Sequence, residues 1–368
     1  MTRYRRIVIK VGSSTLTRDG TAVDLAYVES LVTQICAVRD RGTGVVLVSS
    51  GAIAAGMEAL GLDCRPTDMP SLQAAASVGQ VRLIETYAAL FAKCGAVVGQ
   101  VLLTRHDTGH RESYLHARDT FERLLAMGAV PVVNENDTVA VDEIRFGDND
   151  TLAALVATLV SADLVVLLSD TAGLYDSDPR LADEAKLLEQ IDELTEDVVA
   201  AAGGAGSVLG SGGMITKLEA AKVLMKAGIP MVICDGRRED AVVHIAEGKP
   251  VGTMFAGGAS SIGARKLWIA LGRKPAGEVI VDDGAKAALT ERGKSLLPAG
   301  VVGVTGSFEP GDAVVLKDRS GRAFARGLTE VSSADLDQIR GMKTSEIAHL
   351  MPDGANREVI HRDRLVIL

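Results

Sequence analysis

Two lysines, each beside glycine and hydroxyl residues, are the first candidates for chemistry. Lys10 begins K-V-G-S-S-T at the end of a Val/Ile-rich run, and Lys217 ends G-S-G-G-M-I-T-K. Glycine allows close backbone approach, and hydroxyl and N–H groups suit phosphate oxygens. Neither string is a P-loop, and no G-x-G-x-x-G occurs. Taken alone, each string also fits an ordinary turn or surface loop.

Four further polar clusters lie after or between apolar runs. The string S-S-G-A-I-A-A-G at 49–56 predicts the start of a helix. Its first N–H groups could bind a carboxylate or phosphate, or a serine side chain could simply cap the helix. Two acidic and amide clusters follow, N-E-N-D at 134–137 and G-D-N-D at 147–150. Such residues can bind an ammonium group, coordinate Mg²⁺ or orient lysines. They are also common turn and cap residues. S-D-T-A-G-L-Y, 169–175, suits a nucleotide pocket. Two separate lysines, together with glycine-rich loops and acidic residues, suit phosphoryl transfer, because in that reaction the protein mainly positions the reactants and neutralises charge.

The elements that must position these clusters alternate along the chain. The predicted strands are Ile7–Val11, Val45–Val48, Val97–Leu103, Val130–Val133, Leu164–Leu168 and Pro230–Ile233, and the predicted helices are Asp24–Arg41, Ser71–Lys93, Ser113–Met127, Asn149–Ser161 and Gly213–Ala227. Continuous apolar strands joined by helices predict an α/β fold, an open α/β/α sandwich with a mainly parallel sheet. The clusters should then meet at the carboxyl ends of the strands.

The pattern changes near Ala256–Pro275. We expect one domain over 1–258, a linker over 259–275 and a small β-rich domain over 276–368, with strands at Glu278–Val281, Val301–Thr305, Ala313–Leu316 and Ala323–Leu328. The β-rich domain has 12 basic and 14 acidic residues, a net charge of −2. It shows no basic stripe interleaved with aromatic residues, as a nucleic-acid surface would.

Composition excludes several classes of protein. Of 368 residues, 47% are hydrophobic and 24% charged, which excludes a mainly disordered chain. A net charge of −9 argues against nucleic-acid binding by the whole surface. The four scattered cysteines suggest neither a disulfide framework nor a zinc site. No apolar run is long enough for a signal peptide or a membrane span, so a cytoplasmic protein without a membrane partner is expected.

In this order and spacing, the motifs resemble the amino acid kinase family, and within it the members that phosphorylate L-glutamate. The tail, with G-E-V-I-V-D-D-G-A and V-T-G-S-F, resembles a PUA domain. The resemblance implies ATP and Mg²⁺ as cofactors and L-glutamyl 5-phosphate as product, the first step of proline biosynthesis. It also implies inhibition by proline, a homo-oligomer (dimer or tetramer) and handover of the product to glutamyl phosphate reductase.

The resemblance also assigns residues. Lys10 and Lys217 would neutralise the transferring phosphoryl group, and Asp150 would organise them. Glutamate would be bound by Ser50, Gly51, Asn134, Asp137, Asp148 and Asn149. The nucleotide would be bound by Lys10, Gly12, Ser13, Ser169, Asp170, Ser211, Gly212, Gly213, Met214, Ile215, Thr216 and Lys217. The metal ligands are left unassigned.

Two alternatives remain open. One is another member of the family that forms an acyl phosphate, such as an aspartate or N-acetylglutamate kinase. The other is an RNA-binding protein that acts through the PUA domain, although the charge of the tail favours a structural or regulatory role. No catalytic histidine is expected, because a carboxylate is already ionised at neutral pH.

Overall fold

The computed structural model describes residues 3–18, 20, 22–104, 111–139, 149–177, 184–201, 213–258, 275–343, 346–347 and 358–367. The chain divides into two compact units, Met1–Ser261 and Ile262–Leu368. Each unit has its own cluster of buried apolar side chains. The predicted linker falls almost entirely outside the described residues.

The described residues of the first unit contain ten strands. They are β1 (Arg6–Val11), β2 (Thr17–Arg18), β3 (Ala22–Val23), β4 (Gly44–Ser49), β5 (Val98–Leu103), β6 (Val130–Glu135), β7 (Leu164–Ser169), β8 (Gln190–Ile191), β9 (Met231–Asp235) and β10 (Thr253–Phe255). Eight of them form one sheet in the order β5-β6-β4-β1-β7-β9-β10-β8, and β2 and β3 form a small antiparallel pair. All pairings in the large sheet are parallel except β9 with β10. The predicted mainly parallel sheet is confirmed.

The helices of the first unit connect these strands. They are α1 (Ser13–Leu16), α2 (Leu25–Arg39), α3 (Ala52–Leu60), α4 (Met69–Lys93), α5 (Arg111–Ala126), α6 (Asn149–Leu159), α7 (Glu196–Ala201), α8 (Gly213–Ala227) and α9 (Ala241–Ala246). In the described parts of the chain, no helix combines the length and the apolar character that crossing a bilayer requires.

Strand β1 shows why the apolar runs are continuous. It lies between β4 and β7, and Ile7, Val8, Ile9 and Val11 are each at most 1% exposed. Side chains of a strand alternate between the two faces of a sheet, so both faces of β1 are covered. In such a strand a charged side chain is tolerated only where it meets partners, and Lys10 is that exception.

Helices α3 and α4 cross at two glycines. A Cβ atom added at Gly56 would stand 1.8 Å from the backbone oxygen of Ala75, and one added at Gly79 would stand 1.8 Å from that of Ala52. Such distances are far below van der Waals contact, so only glycine allows the two backbones to approach this closely. The crossing fixes α4 against the start of α3.

The second unit is a five-stranded sheet in the order β12-β11-β13-β14-β15. Its strands are β11 (Gly277–Val281), β12 (Val301–Gly306), β13 (Ala313–Lys317), β14 (Ala323–Leu328) and β15 (Leu365–Ile367), and its longer helices are α10 (Asp283–Thr290) and α11 (Ser333–Ile339). The four predicted strands are present. The fifth, β15, was not predicted, because three residues carry too little pattern.

Candidate active site

The register of the sheet brings the polar clusters to one edge. Lys10 pairs with Val48 of β4 and with Leu167 of β7. The residues that follow these strands therefore leave the sheet side by side. The backbone N–H of Gly12 donates to the carbonyl of Leu168 at 3.3 Å, which joins the loop after β1 to the end of β7. The carboxyl ends of parallel strands are where such folds bind ligands.

The carboxylate of Asp150 lies between the two lysines. The Nζ atom of Lys10 is 2.5 Å from Asp150 Oδ1, and the Nζ atom of Lys217 is 3.3 Å from Asp150 Oδ2. The three side chains are buried, with residue exposures of 5%, 2% and 8% for Lys10, Asp150 and Lys217. Two ammonium groups and one carboxylate leave a net charge of +1 in a shielded place, where electrostatic interactions are strong.

The pKa of Asp150 reflects these partners. Burial by itself would raise the pKa of this carboxyl group, but the charges of Lys10 and Lys217 and the hydrogen bonds that they donate outweigh burial and hold the pKa below its ordinary value. Asp150 is therefore a permanent anion at neutral pH and is suited to fixing the two lysines rather than to moving a proton.

The first turn of α8 holds the second lysine. Lys217 donates from Nζ to the carbonyl of Gly213 at 2.9 Å, and the hydroxyl of Thr216 donates to Asp150 Oδ2 at 3.1 Å. An added Cβ at Gly213 would stand 4.0 Å from that Nζ. The start of α8 is thus tied to the start of α6, where Asp150 lies.

A cavity of about 370 Å³ has Asn149, the residue next to Asp150, in its wall. It is lined by Ser13, Ser14, Thr17, Gly20, Ser50, Gly51, Ala52, Ile53, Ala54, Arg65, Asn134, Glu135, Asp137 and Asn149. Of the residues that the motifs assign to the amino-acid substrate, all those that the structure describes line this one cavity. Asp148 lies outside the described residues.

An amide cluster forms one wall of the cavity. The Nδ2 atom of Asn149 lies 2.8 Å from the carbonyl oxygen of Ser49, 2.9 Å from Ser50 Oγ and 3.0 Å from Asn134 Oδ1. Asn134 and Asn149 are 3% and 7% exposed. These three acceptors use the amino end of Asn149, so its Oδ1 atom is the end of the amide that can accept a hydrogen bond from a ligand.

The start of α3 forms another wall. Gly51 is the N-cap residue, with φ +93°, and an added Cβ would stand 2.6 Å from Leu16 Cδ2. Neither Ser49 nor Ser50 caps the helix, since no side chain makes the cap hydrogen bond. The cavity meets the first turn of α3 at Ala52, Ile53 and Ala54, and N–H groups of a first turn attract anions.

The described nucleotide residues follow β1, end β7 or begin α8. An added Cβ at Gly12 would stand 3.8 Å from Lys10 Nζ, so glycine leaves space above that ammonium. Ser169 ends β7 and donates from its hydroxyl to Asp170 Oδ1 at 3.0 Å. Met214 and Ile215 lie in the first turn of α8 with Gly213, and Ile215 is exposed. Ser211 and Gly212 lie outside the described residues.

Comparison with known proteins decides the family. The sequence model described as the amino acid kinase family matches residues 5–235, and that of the PUA domain matches residues 277–351. The first match covers more than half of the chain. The chain belongs to the amino acid kinase family. The predicted resemblance and fold class are confirmed, including the PUA domain.

Curated relatives align with this chain over nearly its whole length. A protein of Caldanaerobacter subterraneus subsp. tengcongensis, named glutamate 5-kinase, is 47% identical over 363 residues, which are 99% of this chain and 98% of the relative. A protein of the same name from Geobacter sp. strain M21 is 45% identical over 366 residues, with 100% and 98% covered. A UMP kinase structure from Bacillus anthracis is 17% identical, covers 70% of this chain and 97% of its own, and aligns with a TM-score of 0.47.

Sequence reasoning missed two side chains that this family member brings to the site. Gln80 and Tyr87 both lie on α4 and reach the wall of the cavity from behind. Asn134 Nδ2 donates to Gln80 Oε1 at 2.8 Å, and the hydroxyls of Tyr87 and Ser49 are 2.9 Å apart. A separation of seven residues places Gln80 and Tyr87 on the same face of a helix, which is the only signal that the sequence contains.

A bound Mg²⁺ needs oxygen ligands that are not already engaged. Within the described ranges, no three His, Cys, Asp or Glu side chains lie together as a metal site, and Asp150 is paired with both lysines. The described residues therefore do not form a cage of protein ligands for a resident Mg²⁺. An ion that enters on the phosphates of ATP needs only one or two carboxylates.

Proposed function

We propose that the protein transfers the γ-phosphoryl group of ATP to the γ-carboxylate of L-glutamate, giving ADP and L-glutamyl 5-phosphate. One observation carries the proposal: Lys10 and Lys217 share the buried carboxylate of Asp150 beside a cavity lined by amide and hydroxyl groups. The full-length likeness to proteins named glutamate 5-kinase supports the choice of acceptor.

The two lysines offset the electrostatic repulsion between the substrate carboxylate and ATP. The attacking group and the donor are both anions, and two like charges about 4 Å apart repel by about 4 kcal/mol at an effective dielectric constant of about 20. Lys10 and Lys217 reach the cluster from different elements, and Asp150 keeps them in fixed positions. Cations that are already in place need no reorganisation when charge develops in the transition state.

The reaction needs no general base. A glutamate side chain has a pKa of about 4.3, so its carboxylate is already the nucleophile at neutral pH. A carboxylate oxygen forms a bond to the γ-phosphorus, and the bond from that phosphorus to the β–γ bridging oxygen breaks. The electron pair leaves with ADP. Lys10 and Lys217 would offset the negative charge on the transferring group.

The cavity is suited to an amino acid. We assign the ammonium group of the substrate to Asn149 Oδ1 and Asp137, and a carboxylate to Ser50 and the N–H groups at the start of α3. Asn134 supports Asn149, and Gly51 allows the turn that exposes the helix N-terminus. Asp148 remains a predicted substrate residue.

The nucleotide would lie on the other side of the lysines. Its phosphates would meet the loop after β1, at Gly12 and Ser13, and the start of α8, from Gly213 to Lys217. Ser169 and Asp170 at the end of β7 would contact the nucleoside part. Mg²⁺ would then accompany ATP on its phosphate oxygens, and this remains a prediction from the family.

An acceptor panel tests the proposal. Release of ADP is measured with L-glutamate, L-aspartate and N-acetyl-L-glutamate, and hydroxylamine is added to convert any acyl phosphate to a hydroxamate. We expect turnover and hydroxamate with L-glutamate alone. Turnover with one of the other two acceptors, and none with L-glutamate, would assign the chain to a different kinase of the same family.

We also propose which reaction consumes the product and which amino acid inhibits the enzyme. Acyl phosphates hydrolyse readily, so a reductase that consumes L-glutamyl 5-phosphate should follow, as glutamyl phosphate reductase does in proline biosynthesis. We propose that L-proline inhibits the first step. Initial rates at fixed L-glutamate with increasing L-proline test this, and rates that do not change would contradict it.

The role of the PUA domain, the assembly and the compartment are also predictions. We propose a structural or regulatory role for the tail, a homo-oligomer and a cytoplasmic location. Salt-sensitive binding of RNA by the full chain would contradict the first. Light scattering coupled to gel filtration tests the second, and cell fractionation tests the third.

A further inference from the structure

A side chain outside the cavity holds one of the amides inside it. Gln80 on α4 does not line the cavity, but its Oε1 atom accepts a hydrogen bond from Asn134 Nδ2 at 2.8 Å. Asn134 is only 3% exposed. A buried amide donor without a partner is unfavourable, so Asn134 depends on Gln80 as its acceptor.

The hydrogen bonds run in one direction from Gln80 toward the cavity. Asn134 donates to Gln80 from its amino end and accepts at its Oδ1 atom from the backbone N–H of Glu135 at 2.9 Å and from Asn149 Nδ2 at 3.0 Å. Asn149 uses its amino end in the same way, so its Oδ1 atom is the end that we assign to the ligand. Each asparagine thus donates from its amino group on the side away from the substrate. Each has its carbonyl oxygen on the side toward the substrate.

Reversal of Asn134 would break this series. Its amino group would then face the amino group of Asn149 and the N–H of Glu135, and three donors cannot bond to one another. Gln80 Oε1 matches only the orientation in which Asn134 Oδ1 faces Asn149. The acceptor on α4 thus selects the orientation that keeps Asn149 in place.

Helix α4 is rigidly positioned for this task. Gly79, the neighbour of Gln80, lies in the close crossing with α3, where an added Cβ would stand 1.8 Å from the carbonyl oxygen of Ala52. Tyr87 is fully buried and its hydroxyl lies 2.9 Å from Ser49 Oγ. The carbonyl of Ser49 in turn accepts from Asn149. Two separate contacts therefore fix α4 against the cavity wall.

We propose that Gln80 is a positioning residue for the amino-acid substrate: it orients Asn134, and through Asn134 it aims the Oδ1 atom of Asn149 at the ammonium group. The inference rests on the proposed function for the identity of the substrate. It predicts an effect on binding of the amino acid and not on the phosphoryl-transfer step, because among the described residues Lys10 and Lys217 bond to Asp150 and Gly213 and not to this series of amides.

The test replaces the acceptor without changing the size of the side chain. Gln80→Met should raise the KM of the amino acid about tenfold, as expected when one buried donor loses its partner, with kcat and the KM of ATP within about twofold of wild type. Arg82→Met, on the exposed side of the same helix, is the matched control and should leave all three constants unchanged.

A double-mutant cycle separates positioning from general packing. In an Asn134→Ala background, Gln80→Met should cause no further rise in KM, because the group through which it acts is gone. The same factor in both backgrounds, a KM within twofold of wild type in the single variant, or an equal loss in the constants for ATP would each overturn the proposal.

The substrate panel keeps the two proposals apart. The cycle is run with the amino acid that the wild-type enzyme consumes, so a different acceptor would refute the assigned substrate while leaving the role of Gln80 testable. If no amino acid is consumed, calorimetric binding of L-glutamate to the same four proteins provides the comparison. Equal affinity of wild type and Gln80→Met would then count against the role of Gln80.

Discussion

Replacing Asp150 with asparagine removes one charge from the centre of the site and changes its shape little. The side chain pairs with Lys10 at 2.5 Å and with Lys217 at 3.3 Å, and only 2% of the residue is exposed. Without the carboxylate, the two ammonium groups repel each other with nothing between them. Each is then free to move from the position in which it would meet a phosphoryl group.

The size of the effect follows from burial. Breaking a buried ion pair by removing one partner costs about 3–5 kcal/mol in the free energy of unfolding. At about 2–4 °C per kcal/mol for a unit of this size, a loss of about 3 kcal/mol lowers Tm by about 6–12 °C. Misplaced cations should reduce kcat about 100-fold, which corresponds to about 2.7 kcal/mol in the activation barrier. The KM of L-glutamate should stay within about threefold, because the amide cluster is untouched.

The assay measures initial rates of ADP release at 25 °C, with circular dichroism to show that the Asp150→Asn protein is folded. Glu122→Gln is the control, because Glu122 pairs with Arg6 at the opposite end of β1 and the chemical change is the same. That control should keep the kcat of wild type. If Asp150→Asn keeps a kcat within threefold of wild type, or loses activity only through KM, then Asp150 does not organise the lysines.

Other perturbations test separate parts of the site. Lys10→Ala and Lys217→Ala should each lower kcat at least about 30-fold, equivalent to about 2 kcal/mol, and near-normal turnover in steady-state assays would remove the lysine from the mechanism. Asp137→Ala should raise the KM of L-glutamate with little change in kcat, and a loss confined to kcat would contradict a binding role. Gly79→Ala should lower Tm strongly in a thermal melt, because its Cβ would stand 1.8 Å from a backbone oxygen, whereas Ser77→Ala on the exposed side of α4 should not. Because the pKa of Asp150 is lowered in the folded state, its stabilising contribution is present above the unfolded value of about 3.9 and is lost as pH falls through the folded value. The difference in Tm between wild type and Asp150→Asn should therefore shrink below about pH 4, and a constant difference would contradict the ion pairs.

Much of the fold was predictable because the strands are buried on both faces. β1, β4 and β7 are continuous runs of branched apolar residues, and such runs separated by helical stretches specify a covered parallel sheet. The short elements were not predictable. The pair β2 and β3 has two residues in each strand, and a pattern with a period of two needs more residues than that to be recognised.

Candidate residues of the site could be named from the sequence, but the contacts among them could not. The roles of Lys10, Asn149 and Lys217 came from the resemblance of the motifs to the family, because each motif taken alone also fits a turn, a helix cap or a surface loop. For Asp150 the residues alone left a metal, an ammonium group and the lysines as equal choices. The structure pairs it with both lysines. Gln80 was not considered, since a polar residue on a helix gives no sign of whether it faces water or another amide.

The amino-acid sequence by itself determined which segments become strands and which side chains end them, because those properties depend on neighbours along the chain. Only the tertiary structure decided which strands are neighbours in the sheet, and therefore which of the polar residues at their carboxyl ends meet. Asp150 and Lys217 are 67 residues apart, and they meet because α6 and α8 start at the same edge of the sheet. Contacts over such distances follow from the order and register of the strands, which depend on the packing of the whole unit.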